Sequence, residues 1–225
     1  MKKNALSLLL FCSLLISGAT PADASVSLSR TDFDASAIGS IETDVFDLAL
    51  GAASCAIKSG AVDNPSTLTV IDYSKPSSEK RLWVFDLRSR ELIYEELVAH
   101  GQGSGLGMAT QFSNEPETHR TSLGLFKTDK PYVGRNGYSL RLDGLDRGFN
   151  DRARERAIVM HGAPYVSAQF VKATGRLGRS HGCPAVSADV ARAMIDRVKG
   201  GGLVFAYYPD AQWLKASKYL GGCRG

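Results

Sequence analysis

Apolar residues recur at helical spacing near the start of the chain, with Ile41, Val45, Leu48, Ala52 and Cys55 on one stripe and Gly60 as a stop. The pattern predicts an amphipathic helix over residues 42–58. The pattern then changes. Short runs rich in β-branched and aromatic residues follow, separated by Pro, Gly, Ser and Asn: Leu68–Tyr73, Leu82–Leu87, Glu91–His100, Ser122–Thr128, Tyr138–Leu142, Ala157–His161, Tyr165–Val171 and Leu203–Tyr208. These read as strands. One helix interrupts them late, with Ser187 as N-cap, Val190, Met194, Ile195 and Val198 as its stripe, and Gly200–Gly202 as its end. The class is therefore mainly β (α+β), with one helix before the strands and one near their end.

The first 24 residues are set aside from this count. Lys2 and Lys3 precede an apolar run from Ala5 to Ile16, and Ala22-Asp23-Ala24 is a small-residue cleavage pattern, which is how a secretory signal peptide reads. Cys12 is a poor lipid-anchor site because Phe11 is too bulky for the usual lipobox. No apolar run approaches the roughly 20 residues a spanning helix requires. Residues 25–41, polar and without periodicity, read as a flexible lead, and residues 42–225 as one domain.

The net charge of +4 falls by one when the leader's two lysines and one aspartate are removed. That mildly basic balance suits an anionic polymer such as a cell wall, while the absence of a basic run argues against nucleic acid as a partner. Three cysteines remain after the leader: Cys55, Cys183 and Cys223. An odd number in an exported chain raises the weight of a reactive thiol. Cys55 lies on a helix stripe and reads as structural, with Cys223 as its candidate disulfide partner.

Two local patterns bear on chemistry: Met160-His161-Gly162 at a strand end, and Ser180-His181-Gly182-Cys183 before the late helix. Thiol catalysis requires a thiolate and an imidazole that takes its proton and returns it to a leaving amine. Cys183 is the candidate nucleophile, its thiolate favoured by the nearby helix start, with backbone N–H groups around Gly182 and Cys183 available to an oxyanion. The residue types alone leave both His161 and His181 open as base. His161, arriving from another strand, is preferred because His181 sits only two positions from the thiol. The carbonyl of Gly162 is a candidate for fixing the His161 tautomer.

These motifs, together with IDYSKPSSEKRLWVFDL at 71–87, VAHG at 98–101, QFSN at 111–114, TSLG at 121–124, YSLRLDGL at 138–145 and GRSHGCPAVS at 178–187, resemble the YkuD-type L,D-transpeptidases, specifically the murein L,D-transpeptidase catalytic domain branch. The resemblance implies a YkuD-like β-sandwich or barrel. It also implies a monomeric cysteine acyltransferase of the periplasm or cell wall that acts on peptidoglycan peptide stems without metal or organic cofactor. Cys183 would attack a tetrapeptide stem, D-alanine would leave, and an amine would resolve the thioester; water in its place would make an L,D-carboxypeptidase. Many members carry an arginine shortly after the cysteine, whereas this chain reads Cys183-Pro184-Ala185-Val186. Ser180, Arg179, Arg176 and Arg135 are the candidates for substrate binding in its stead. Readings from other classes are a non-catalytic wall-binding module and a zinc site built from His161, His181 and Cys183, which lacks an obvious fourth ligand.

Overall fold

The computed structural model describes residues 27–221 and Cys223. The signal-peptide reading of residues 1–24 lies outside them. The predicted first helix is α1, Thr43–Lys58, and the late one is α3, Ala188–Val198; α2, Ala168–Thr174, and α4, Ala211–Ala216, are the other α-helices among the described residues. Nine strands form one sheet: β1 Thr67–Asp72, β2 Leu82–Asp86, β3 Glu91–Glu96, β4 Val98–Ala99, β5 Gly124–Gly134, β6 Gly137–Gly144, β7 Val159–Ala163, β8 Ala185–Ser187 and β9 Leu203–Tyr207.

The spatial order is β3-β2-β1-β9-β5-β6-β7-β8-β4. Its two ends, β3 and β4, are separated in the chain by Leu97 alone. A sheet whose first and last strands are chain neighbours must curl back on itself, and the result is a nearly closed barrel. The run Glu91–His100, predicted as a single strand, is thus two, one at each edge.

Alternation along the strands feeds two cores. Leu68, Val70, Trp83, Phe85, Leu125, Leu203 and Phe205 join the buried face of α1 in one. Leu82, Val84, Phe126, Leu140, Leu142, Met160, Val204 and Ala206 join Met194, Ile195 and Val198 of α3 in the other. Burial on both faces explains why β2 and β9 read as nearly continuous apolar runs. In the first core Phe46 stacks on Phe85 at 4.4 Å while Phe33 meets both rings edge-on.

Two expectations are corrected. Residues 27–41 are not a loose lead: Leu28, Phe33, Ile38 and Ile41 are buried against α1 and the sheet, and isolated apolar anchors show no periodicity. Residues 165–171 do not form a strand. Ser167 accepts a hydrogen bond from the Phe170 N–H and starts α2, and Gly175 ends it in the left-handed conformation. The Cys55–Cys223 disulfide is formed and ties α1 to the C-terminal segment.

Candidate active site

Cys183 is the one free cysteine among the described residues. It sits in the turn between α2 and β8, with 7% of its surface exposed. Parallel pairing of β7 with β8 sets His161 opposite Ala185, two residues past Cys183. On its other side His161 pairs with Ser139 of β6. The imidazole is 4% exposed. Its Nδ1 lies 3.0 Å from the Gly162 carbonyl oxygen, which only accepts, so Nδ1 carries the proton and Nε2 the free lone pair. Gly162 has a second role: a Cβ there would stand 2.8 Å from the Ala191 Cβ, so glycine lets α3 lie against β7.

The segment leading into β7 wraps the thiol. Cys183 Sγ donates to the Ala157 carbonyl at 3.7 Å, and Ala157 holds φ +52° to present it. Burial pushes the Cys183 thiol up, opposed by the Val159 backbone N–H and the Arg156 guanidinium. Burial pushes His161 down, opposed by its bond to Gly162. Both shifts favour the uncharged forms, a thiol and a neutral imidazole. Tyr165 is pushed up to about 12, first by burial and then by Cys183.

The turn before Cys183 is closed by Ser180, whose hydroxyl donates to the Cys183 carbonyl at 2.6 Å and accepts from the Gly182 N–H at 3.1 Å. That bond occupies the Gly182 N–H expected to serve an oxyanion, and Ser180, 5% exposed, shapes the turn from inside. Gly182 takes φ +115°, and a Cβ on it would stand 2.8 Å from the Arg120 carbonyl. The expected proximity of the α3 start also changes, because β8 intervenes. Several extended residues, at about 3.3 Å each, separate the thiol from a helix end whose field fades within one turn.

Beneath the turn, Gly101 bridges to Ser180 in parallel. The Ser180 N–H donates to the His100 carbonyl at 3.0 Å and the Gln102 N–H to the Ser180 carbonyl at 2.8 Å. His100 and Arg81 are fully buried below, neither exposing any surface. Above, the exposed His181 stacks on His119, ring centroids 4.2 Å apart and planes 10° from parallel. This places His181 at the rim and His161 inside. Arg179 donates to the Gln102 and Gly105 carbonyls, and Arg176 to that of Leu177. Arg135 is exposed at the β5–β6 hairpin tip, four residues before Ser139.

A family model described as the L,D-transpeptidase catalytic domain matches residues 38–207. The chain belongs to this family. No curated protein matches the chain. Among solved structures it is similar to an L,D-transpeptidase from Mycobacterium smegmatis, at 16% identity and TM-score 0.39, covering 64% of this chain and 59% of that one. It is also similar to the helical cell shape determining protein Pgp2 from Campylobacter jejuni (12%, TM-score 0.43, covering 66% and 50%) and to an L,D-transpeptidase from Stackebrandtia nassauensis (14%, TM-score 0.38, covering 73% and 68%). The chain spans about three fifths of the length of the first of these.

The L,D-transpeptidase domain match includes every candidate residue of the site, from Arg135 to Cys183. Arg156, which the sequence did not single out, lies beside the thiol, and Arg120, which immediately precedes the TSLG stretch, covers Gly182; neither residue type carries a signal at those positions by itself. Among the described residues, no group of three or more His, Cys, Asp or Glu side chains is placed to hold a metal ion, and no helix is long and apolar enough to cross a membrane.

Proposed function

We propose that the protein is an exported peptidoglycan L,D-transpeptidase working through a Cys183 thioester. The observation that carries this reading is that the β7–β8 register brings together a buried free thiol and a buried imidazole whose Nδ1 is committed to the Gly162 carbonyl. Nε2 of His161 is then the lone pair available to the thiol proton.

Cys183 Sγ attacks the carbonyl of the third stem residue as His161 Nε2 takes its proton. The tetrahedral intermediate collapses, His161 returns the proton to the departing nitrogen, and D-alanine leaves with a thioester formed. An amine from a second stem attacks the thioester, its proton passes to Nε2, and the C–S bond breaks to give a new amide and the thiol. Water as acceptor gives the shortened stem, which is L,D-carboxypeptidase chemistry. Rim arginines Arg120, Arg176 and Arg179 are the nearby cations for the stem's carboxylates. Arg135, at the hairpin tip, is the more distant candidate.

Mass analysis of muropeptides incubated with the protein, beside Cys183→Ala and His161→Ala, tests the reading. Loss of D-alanine from tetrapeptide stems, or appearance of cross-linked stems, is expected with the native protein alone. Unchanged stems with all three proteins would favour the non-catalytic wall-binding module.

A further inference from the structure

Three arginines alternate in the segment before β7, and two of them are ion-paired. Arg152 pairs with Glu115 and Glu155, and Arg154 with Asp129 and Asp143. Arg156 turns the other way. Its Nη1 donates to the Ser113 carbonyl at 2.6 Å and to the Ser122 hydroxyl, and its Nη2 donates to the Arg120 carbonyl at 2.6 Å. These acceptors are neutral, and no carboxylate lies within ion-pair distance of this half-buried guanidinium among the described residues.

It is also beside the nucleophile. A Cβ built on Gly182 would stand 3.4 Å from Arg156 Nη2, and the carbonyl of the next residue, Ala157, receives the Cys183 thiol. A desolvated cation without a counter-ion is costly to keep unless an anion forms near it. We propose that Arg156 is the positioning residue that supplies the fixed positive charge for the Cys183 thiolate, while its three hydrogen bonds hold the 113–122 loop over the catalytic turn. This rests on the reading of Cys183 as nucleophile. The other ionisable groups bearing on the pair are His161, Tyr73 and Tyr165 around the thiol, and Glu115 and Arg152 around the guanidinium. The arginine's charge opposes the upward push of burial on Cys183.

The role is read from the pH dependence of Cys183 alkylation by iodoacetamide, followed by peptide mass in the full-length protein between pH 5.5 and 10. Removing the charge with Arg156→Met is expected to slow alkylation about tenfold at each pH below the midpoint, the effect of raising the thiol by about one pH unit. Arg156→Lys keeps the charge and is expected to restore most of the native profile despite losing the fork of hydrogen bonds. Should Arg156→Met not fold, Arg156→Gln, whose amide retains a donor for one carbonyl, gives the same reading. A neutral variant that is folded and superimposes on the native profile would overturn the proposal, as would Arg156→Lys shifting as far as the neutral variants. Alkylation needs no stem substrate, so untouched muropeptides would count against the proposed function and leave this measurement standing.

Discussion

Arg81 Nη2 lies 2.8 Å from His100 Nδ1, in a site where neither side chain meets solvent. A guanidinium only donates, so Nδ1 is the acceptor and Nε2 carries the proton, directed at the Gly105 carbonyl 3.3 Å away. The ring is thus fixed as a neutral tautomer beneath the Ser180–Cys183 turn. Arg81 also donates to the Val98 carbonyl of β4 and to the Lys75 carbonyl of the β1–β2 connection.

This arrangement predicts acid lability. Burial, then the Arg81 charge, pushes His100 down from 6.5 to about 4. Below pH 6.5 the unfolded chain takes up a proton that the folded site refuses, so stability falls from pH 6.5 towards pH 4, by about 3 kcal/mol for this group. His161, also lowered, adds in the same direction. His100→Asn, whose Oδ1 can accept from Arg81, is expected to flatten the melting temperature's dependence on pH across that window. An equally steep fall in the variant would contradict this account of His100.

The same physics sets the activity profile. His161 must be neutral to accept the thiol proton, and its value lies below 6.5. The Cys183 thiol is held above 9.0. The pH profile of kcat/KM for stem conversion should therefore carry an acid limb with its midpoint below pH 6.5 and remain flat to about pH 9. An acid limb centred above pH 7 would contradict a lowered His161.

Gly182→Ala tests the turn. A side chain at φ +115° is strained, and its Cβ would press on the Arg120 carbonyl. Displacement of the neighbouring thiol by about 1 Å is expected to cut turnover about a hundredfold while the fold persists. Native turnover in a folded Gly182→Ala protein would show that the turn geometry is not needed.

The Cys55–Cys223 bridge closes a loop of 168 residues and lies apart from the free thiol. Cys55→Ser with Cys223→Ser should lower the melting temperature by about 10 °C, from the 2–5 kcal/mol typical of such bridges. The doubly substituted protein is expected to keep its stem chemistry below its melting point. A melting temperature unchanged from native would mean that packing of Trp213, Tyr219 and Leu220 alone holds the C-terminal segment.

The two long helices were legible because their apolar stripes repeat through several turns, and α1 begins one residue from its expected start. The stretch 165–171 misled because Tyr165, Val166, Phe170 and Val171 have strand-like composition; Ser167 and Gly175, the cap and stop of α2, were the signals with more weight. His161 and Cys183 were marked by their local motifs. Arg156 and Arg81 were not, because their relation to the thiol depends on strand register and barrel closure, which residue spacing does not encode. The β8 strand was hidden by its three-residue length.

In the proposed reaction Cys183 carries the acyl group. Intact-mass analysis of the protein mixed with a tetrapeptide-stem muropeptide and no amine acceptor, quenched in acid within seconds, tests it most directly. The account predicts an adduct equal to the stem minus D-alanine, mapped to Cys183, released by hydroxylamine and absent from Cys183→Ala. Stem conversion without that adduct in the native protein, or with the same adduct in Cys183→Ala, would contradict it.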